Sequence, residues 1–385
     1  METAITPHDH RRARGRLDPT VGKARAMVGE LLGLKTTGKN RPVDNPPLIL
    51  VGCSGGPDSL ALAAVCAFFA TRGEVRVGAV VVDHQMQDGS AEVAQETADQ
   101  LRGLGLDPVM VRTVDLQHDG VGPEAAARAA RFGALETAAR ESGAQNVLLG
   151  HTLDDQAESV LLGLARGSGT RSLAGMRERR GIYLRPFLAL RRHETLAICE
   201  ALALAPWHDP TNQDPAYLRV RVRNNVIPYL GAELGPGIAE SLARSANILG
   251  HDADYLDELA AVEYNRMALR GPLSADGNVA GNDAGNGAEN GTEATGVQEI
   301  ALSEDGLRGL APALRMRVLA LAAVELGGVQ PSLERLGSAE KLLERKGSAG
   351  PVQLAGKVSA WRISRNQGVP HDGPGYGKLV LRRST

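Results

Sequence analysis

Two short stretches hold most of the residues whose types and spacing could do chemistry. The first is Ser54, Gly55, Gly56, Pro57, Asp58 and Ser59, reading SGGPDS. Glycines let the main chain approach an anion closely, and a helix starting there would aim unpaired N–H groups and a partial positive charge at it. A phosphate group is the natural guest. No Lys-Ser/Thr pair follows the glycines, so the loop is not of the Walker A type, and GxGxxG spacing is absent as well. The second stretch, GHTLDDQAE from Gly150, carries Asp154, Asp155 and Glu158. On a helix Asp155 and Glu158 stand three apart and Asp154 and Glu158 four, so at least one pair shares a side. Acids in a first turn favour the helix dipole, and Thr152 with Asp155 has capping-box spacing. Helix stability does not require all three acids; beside a phosphate loop they suit a magnesium ion or an ammonium group.

Both stretches need a scaffold that brings them together. Residues 48–51 (LILV) form the short apolar run of a buried parallel strand, and residues 60–69 (LALAAVCAFF) continue as a helix, so the glycines lie between strand and helix N-terminus. An ordinary glycine turn capped by Asp58 or Ser59 would explain the loop alone; the strand-to-helix setting favours the phosphate. Further strands are expected at 75–82, 107–114 and 146–149, with helices at 91–104 and 122–142. The alternation predicts an α/β fold with a doubly wound, mostly parallel sheet and a smaller, mainly helical C-terminal domain. Ligands of such sheets bind beyond the carboxyl ends of the strands. Asp83, His84, Gly150 and His151 all follow strands and face that crevice. For Asp83 and His84 a helix-capping acid and a loop histidine stand beside a nucleotide or substrate contact.

The 385 residues suffice for two domains, and with 3% aromatics the core must be built from Ala, Leu and Val. A net charge of -2 gives no global attraction to nucleic acid, so such contacts need local basic patches. Two exist. Arg171, Arg177, Arg179, Arg180, Arg185, Arg191 and Arg192 form one, and Arg219, Arg221 and Arg223 alternate in the other; both suggest phosphate backbones. Arg128 and Arg131 share a helix face. Cys53, Cys66 and Cys199 offer neither a zinc site nor a disulfide framework, which fits a reducing cytoplasm. No apolar run reaches the length of a membrane span, and the N-terminus lacks a signal-peptide core.

SGGPDS resembles the pyrophosphate loop of the ATP pyrophosphatases (PP-loop enzymes), which split ATP between its α and β phosphates. The order of motifs narrows the resemblance. SGGPDS, VDHQMQDGS, EAAARAARF, GHTLDDQAESVLLGLARGSG, RPFL and DPTNQDPAYLRVRVRNNVIPYL are similar, in order and spacing, to the tRNA(Ile)-lysidine synthetases, over residues 48–249. That resemblance implies ligation of L-lysine to C2 of the wobble cytidine in a tRNA(Ile) with a CAU anticodon. ATP and Mg²⁺ are the implied cofactors, the cytoplasm the implied location, and a homodimer the candidate assembly. By the same resemblance Ser54 to Ser59, with Asp83, His84, Gly150 and His151, bind the nucleotide. Asp58 and Asp155 hold the metal, Asp155 and Glu158 meet the lysine ammonium, and Arg131 and Arg223 stand near the reacting groups. Arg219 precedes a valine where many members have asparagine, which leaves its role open. A tRNA thiolase should carry Cys pairs and a small-molecule amidotransferase-type synthetase a glutaminase unit; neither is visible. A non-catalytic nucleotide-binding module stands as the other class, against which the acids and arginines speak.

The expected organisation is a basic tail and helix over 1–45, the catalytic domain over 46–230, a helical bridge over 231–270 and a flexible Gly/Asn-rich insertion over 271–298. A tRNA-binding domain over 299–385, helical and then ending in a few strands, completes it.

Overall fold

A computed structural model describes residues 17–38, 42–85, 89–114, 123–167, 169–271, 299–345, 347–363 and 377–384. The basic tail up to Arg16 and the Gly/Asn-rich insertion lie outside the described residues. The chain divides into two compact units, Met1–Gly250 and His251–Thr385.

The first unit opens with helix α1 (Pro19–Leu32), started by Asp18, whose carboxylate accepts from Thr20 N at 2.8 Å, and stopped by Gly33 at φ 70°. There follow β1 (Leu48–Gly52), α2 (Pro57–Ala70), β2 (Arg76–Asp83), α3 (Ser90–Gly103), β3 (Val109–Thr113), α4 (Pro123–Ser142), β4 (Asn146–Leu149) and α5 (Leu153–Ala165). A short α6 (Thr170–Leu173), strands β5 (Arg179–Arg180) and β6 (Tyr183–Leu184) and helix α7 (Arg192–Ala201) come next. The strand order is β3-β2-β1-β4-β6-β5, all pairs parallel except β5 with β6. The chain winds from β1 outward to β3 and then crosses back to place β4 on the other side of β1. The crevice between the ends of β1 and β4 is therefore the switch point at which such sheets bind ligands.

Packing follows from the sequence. Helix α2 carries no polar face, and it is buried against Ile49 and Val51 on one side of the sheet together with Val21, Ala24 and Val28 of α1. Leu50, pointing the other way by strand alternation, packs with Val80, Leu135 and Ala138. Leu60, Leu62 and Phe69 are fully buried, each contributing about 2 kcal/mol of apolar transfer. This dry double-sided core fixes the strand ends against one another.

Beyond α7 the first unit adds α8 (Leu218–Arg221), a π-helical turn over Val222–Val226, α9 (Ile227–Leu234) and the start of α10 (Ile238–Met267). The second unit holds the end of α10, β7 (Ala268–Arg270), β8 (Glu299–Ser303), α11 (Glu304–Gly309), α12 (Pro312–Gly327), α13 (Leu333–Glu340), β9 (Ala349–Gln353), β10 (Val358–Ile363) and β11 (Lys378–Arg383). Its antiparallel sheet, β7-β8-β11-β10-β9, packs on the helices through Ile300, Leu302, Val318, Leu319 and Leu379. The terminal strands follow the sequence pattern. The short β7 and β8 have too few residues to show alternation and exist by pairing with each other and β11.

Candidate active site

The turn from β1 into α2 is held open by its own hydrogen bonds. Ser59 Oγ accepts from Ser54 N at 3.1 Å and donates to Gly56 O at 3.1 Å, and Trp207 N donates to Gly55 O at 2.9 Å. Gly55 sits at φ 81°, and a Cβ there would lie 2.5 Å from Thr97 Oγ1, so no other residue fits. Gly56 caps α2 without a side chain and Pro57 follows, so the first N–H groups of the helix are not covered by a capping oxygen. A cavity of about 760 Å³ opens over this helix end, lined among others by Ser54, Asp58, Gly150, His151, Arg131 and Arg192. It has room for a nucleotide. A second cavity of about 330 Å³ shares Ser54, His84, Trp207 and Arg223 with it and reaches Asp83. Gly150 permits the two loops to meet: its Cβ would lie 2.8 Å from Asp58 O and 2.9 Å from Ser59 Cα.

Helix α5 begins with the expected capping box. Asp155 Oδ2 accepts from Thr152 N at 2.8 Å and Thr152 Oγ1 at 3.0 Å. The other carboxylate oxygen is then free to face Arg192 Nη2 at 3.0 Å. One turn on, Glu158 is wholly buried and ringed by guanidinium groups: Arg219 Nε donates to it at 2.7 Å, Arg223 Nε at 2.7 Å and Arg192 Nη1 at 3.5 Å. Asp154 points elsewhere and takes Arg191 Nε at 3.1 Å and Arg192 N at 2.7 Å. Only one of the two adjacent aspartates thus joins the cluster, as the 100° step between helical neighbours requires.

Asp58 completes it. Its carboxylate accepts from Thr195 Oγ1 and faces Arg192 Nε at 3.4 Å. Burial raises its pKa, opposed by Thr195 and Arg192 and assisted by the negative charge of Asp155. Burial acts on Asp155 too, but Arg192, Arg219 and the Thr152 N–H outweigh it and lower the pKa. Burial pushes His151 down to about 3, with Asp155 opposing and nearby arginines assisting, so the ring is neutral at pH 7. Burial and then the like charge of Arg128 lower Arg131 to about 10. His84 Nδ1, His151 Nδ1 and Arg131 Nε are buried without a hydrogen-bond partner in the protein. Around a cavity these orphaned groups call for a polar guest.

The oxygen-only donor set of Asp58 and Asp155 suits magnesium. Both carboxylates reach the same Arg192 guanidinium, so they already share one cation. Among the described residues no group of three or more His, Cys, Asp or Glu is gathered as a metal cage. An ion held here would draw its remaining oxygens from substrate phosphate and water, as magnesium commonly does.

The residues expected from sequence in the loop, at the strand ends and on α5 line one or other of these cavities, except Gly55, Asp154 and Glu158, which line neither. No local sequence pattern marks Arg192 and Thr195 of α7, or the segment around Trp207, Asp209 and Asn212, as site residues. The only sequence signal for Arg192 was its place in a basic run, read as a phosphate-backbone contact. Instead Arg192 joins the acids, and Arg191 pairs with Asp154 and Glu240.

Residues 34–230 match the PP-loop domain family, and the chain belongs to that class of proteins. It is 46% identical to the tRNA(Ile)-lysidine synthase of Leifsonia xyli subsp. xyli, over 85% of this chain and 90% of that one. Identity to the tRNA(Ile)-lysidine synthase of Streptomyces coelicolor is 44%, over 88% and 86%. The tRNA(Ile)-lysidine synthase of Thermobifida fusca is 54% identical over 60% of this chain and 70% of its own. Within the PP-loop class, the chain is therefore a member of the tRNA(Ile)-lysidine synthase family. Among the described residues no helix is long and apolar enough to cross a membrane.

Proposed function

We propose that this chain adenylates the wobble cytidine of a CAU-anticodon tRNA(Ile) with ATP and then joins L-lysine to its C2. The observation that carries this is the cavity over an uncapped helix end whose wall also includes Asp58, Asp155, Arg192 and Arg223 of the acid and arginine cluster. One half-reaction needs a phosphate cradle. The other needs a charged pocket for an amine.

In the first step the C2 oxygen of cytosine attacks the α-phosphorus and pyrophosphate leaves. Ser54 to Ser59 receive the pyrophosphate oxygens through main-chain N–H groups and hydroxyls, and Arg131 and Arg223, both lining the cavity, offset the charge that grows on the phosphorus oxygens. Asp58 and Asp155 would hold Mg²⁺, which when bound neutralises phosphate charge and strengthens the leaving group. In the second step the lysine ε-amine attacks C2 and AMP departs. Asp155 and Glu158 supply the negative charge for the ammonium, which takes a place among groups now balanced by guanidinium. The exposed Arg171, Arg179 and Arg180 offer phosphate-binding charge, and the second unit is the candidate grip on the rest of the tRNA.

Incubation with total tRNA, ATP and labelled lysine tests the assignment. Label should enter RNA only with ATP, releasing one AMP and one pyrophosphate per lysine. ATP splitting without label in RNA would sink it.

A further inference from the structure

Arg192 holds an unusual position. Its Nε faces Asp58 at 3.4 Å, its Nη2 faces Asp155 at 3.0 Å and its Nη1 faces Glu158 at 3.5 Å. One guanidinium therefore touches the three acids that the proposed reaction needs for metal and lysine. Its backbone is pinned as well, because Arg192 N donates to Asp154 at 2.7 Å. The side chain is a quarter exposed and lines the main cavity, so it can turn while the backbone stays.

A divalent ion shared by Asp58 and Asp155 would have to sit where this guanidinium now sits. Two cations cannot occupy that place, since at contact distance their repulsion in a partly buried site amounts to several kcal/mol. Arg219 and Arg223 could still balance Glu158, but among the described contacts only Arg192 bridges Asp58 to Asp155. Nucleotide phosphates beside the Asp58 turn would offer the displaced guanidinium a bidentate partner.

We propose that Arg192 is a built-in counter-cation that withholds the Asp58–Asp155 metal position until nucleotide arrives, making divalent-ion binding conditional on ATP. Arg192 then moves from carboxylates to phosphate and is a positioning residue for the first half-reaction. The inference rests on the metal role given to Asp58 and Asp155 above, but its test needs neither RNA nor lysine.

The probe is Mn²⁺, titrated into the full-length protein without nucleotide and followed by electron paramagnetic resonance of the free ion. Arg192→Gln should bind one Mn²⁺ at least about tenfold more tightly than the unaltered chain, because a competing charge has gone. Adding Asp58→Asn to that variant should remove the gain. Equal Mn²⁺ affinity in the unaltered chain and a folded Arg192→Gln would overturn the proposal, as would a gain that survives Asp58→Asn. If Arg192→Gln does not fold, Arg192→Lys serves, since an ammonium cannot bridge both carboxylates as the planar fork does. It should show a smaller gain, and no gain overturns the proposal. Failure of labelled lysine to enter RNA would count against the reaction, whereas unchanged Mn²⁺ affinity counts only against the role of Arg192.

Discussion

Among the described residues, Glu158 in the first unit and Glu304 in the second are each buried among several arginines, and the two clusters are built differently. In the second unit Glu304, 2% exposed, takes Arg308 at 2.8 Å and Arg362 at 3.0 Å. The spare donors of those arginines go to main-chain carbonyls: Arg362 Nη1 donates to Arg345 O at 2.6 Å and to Gly347 O at 2.5 Å, and Arg308 donates to Leu343 O. That cluster is closed, a bolt tying β10 and α11 to the loop after α13. Glu158 is buried more completely, yet the arginines around it share themselves with Asp155, and Arg192 reaches on to Asp58 at the cavity wall. Under the proposed function the closed cluster holds the fold together, whereas the open one meets substrate.

The sharpest way to break this contrast is to neutralise both glutamates in turn. Glu158→Gln keeps the shape but loses the charge that orients Arg219 and Arg223, and lysine incorporation should fall at least about a hundredfold. tRNA affinity in filter binding should change far less. Glu304→Gln should leave kcat unchanged in lysine incorporation and cost about 3 kcal/mol in urea unfolding, since it leaves two guanidinium groups short of a partner. If Glu304→Gln slowed catalysis while Glu158→Gln only softened the fold, the assignment of the two clusters would be reversed.

Next in size is Gly150→Ala. A methyl group 2.8 Å from the Asp58 carbonyl must push α2 away from the end of β4. A loss of about 2 kcal/mol is expected, together with a raised KM for ATP. The Glu304 bolt, in the other unit, should be indifferent to it.

His151 offers a milder probe through pH. Its folded pKa of about 3 lies below the ordinary 6.5, so the unfolded chain binds the proton first. The stability from a neutral His151 is complete above pH 6.5 and declines as pH falls toward 3, by about 1.4 kcal/mol per unit. His151→Gln should flatten the pH 6 to pH 4 slope of unfolding free energy by about one proton. An unchanged slope would show that the imidazole is not held neutral. The smallest effect belongs to an open pair. Lys23 meets Glu194 at 2.6 Å with the lysine half exposed, and Lys23→Ala should cost less than about 0.5 kcal/mol.

What could be read from sequence was whatever short spacing encodes. The run from Leu48 to Ser59 shows strand, turn and helix in a dozen residues, and the Thr152–Asp155 capping box is a local pattern that the structure reproduces. Arg192 and Thr195 were not legible as site residues because their link to Asp58 spans more than 130 residues and no local rule marks it. Arg219 looked uncertain from its neighbour, yet its Nε contact with Glu158 is as short as that of Arg223. In the second unit β8 meets β11 across a stretch that includes every helix after it, so its five residues could declare themselves only in the fold.

The order of residues along the chain has a consequence for synthesis on the ribosome. Glu158 is made before Arg192, Arg219 and Arg223, its partners 34, 61 and 65 residues further on. A nascent chain that has emerged only as far as Arg180 already contains β4 and α5, but docking α5 would bury a carboxylate with none of its three counter-charges present. That costs several kcal/mol, more than one short helix gains by packing. The acid and arginine cluster of α5 is thus completed only once Arg223 has left the exit tunnel.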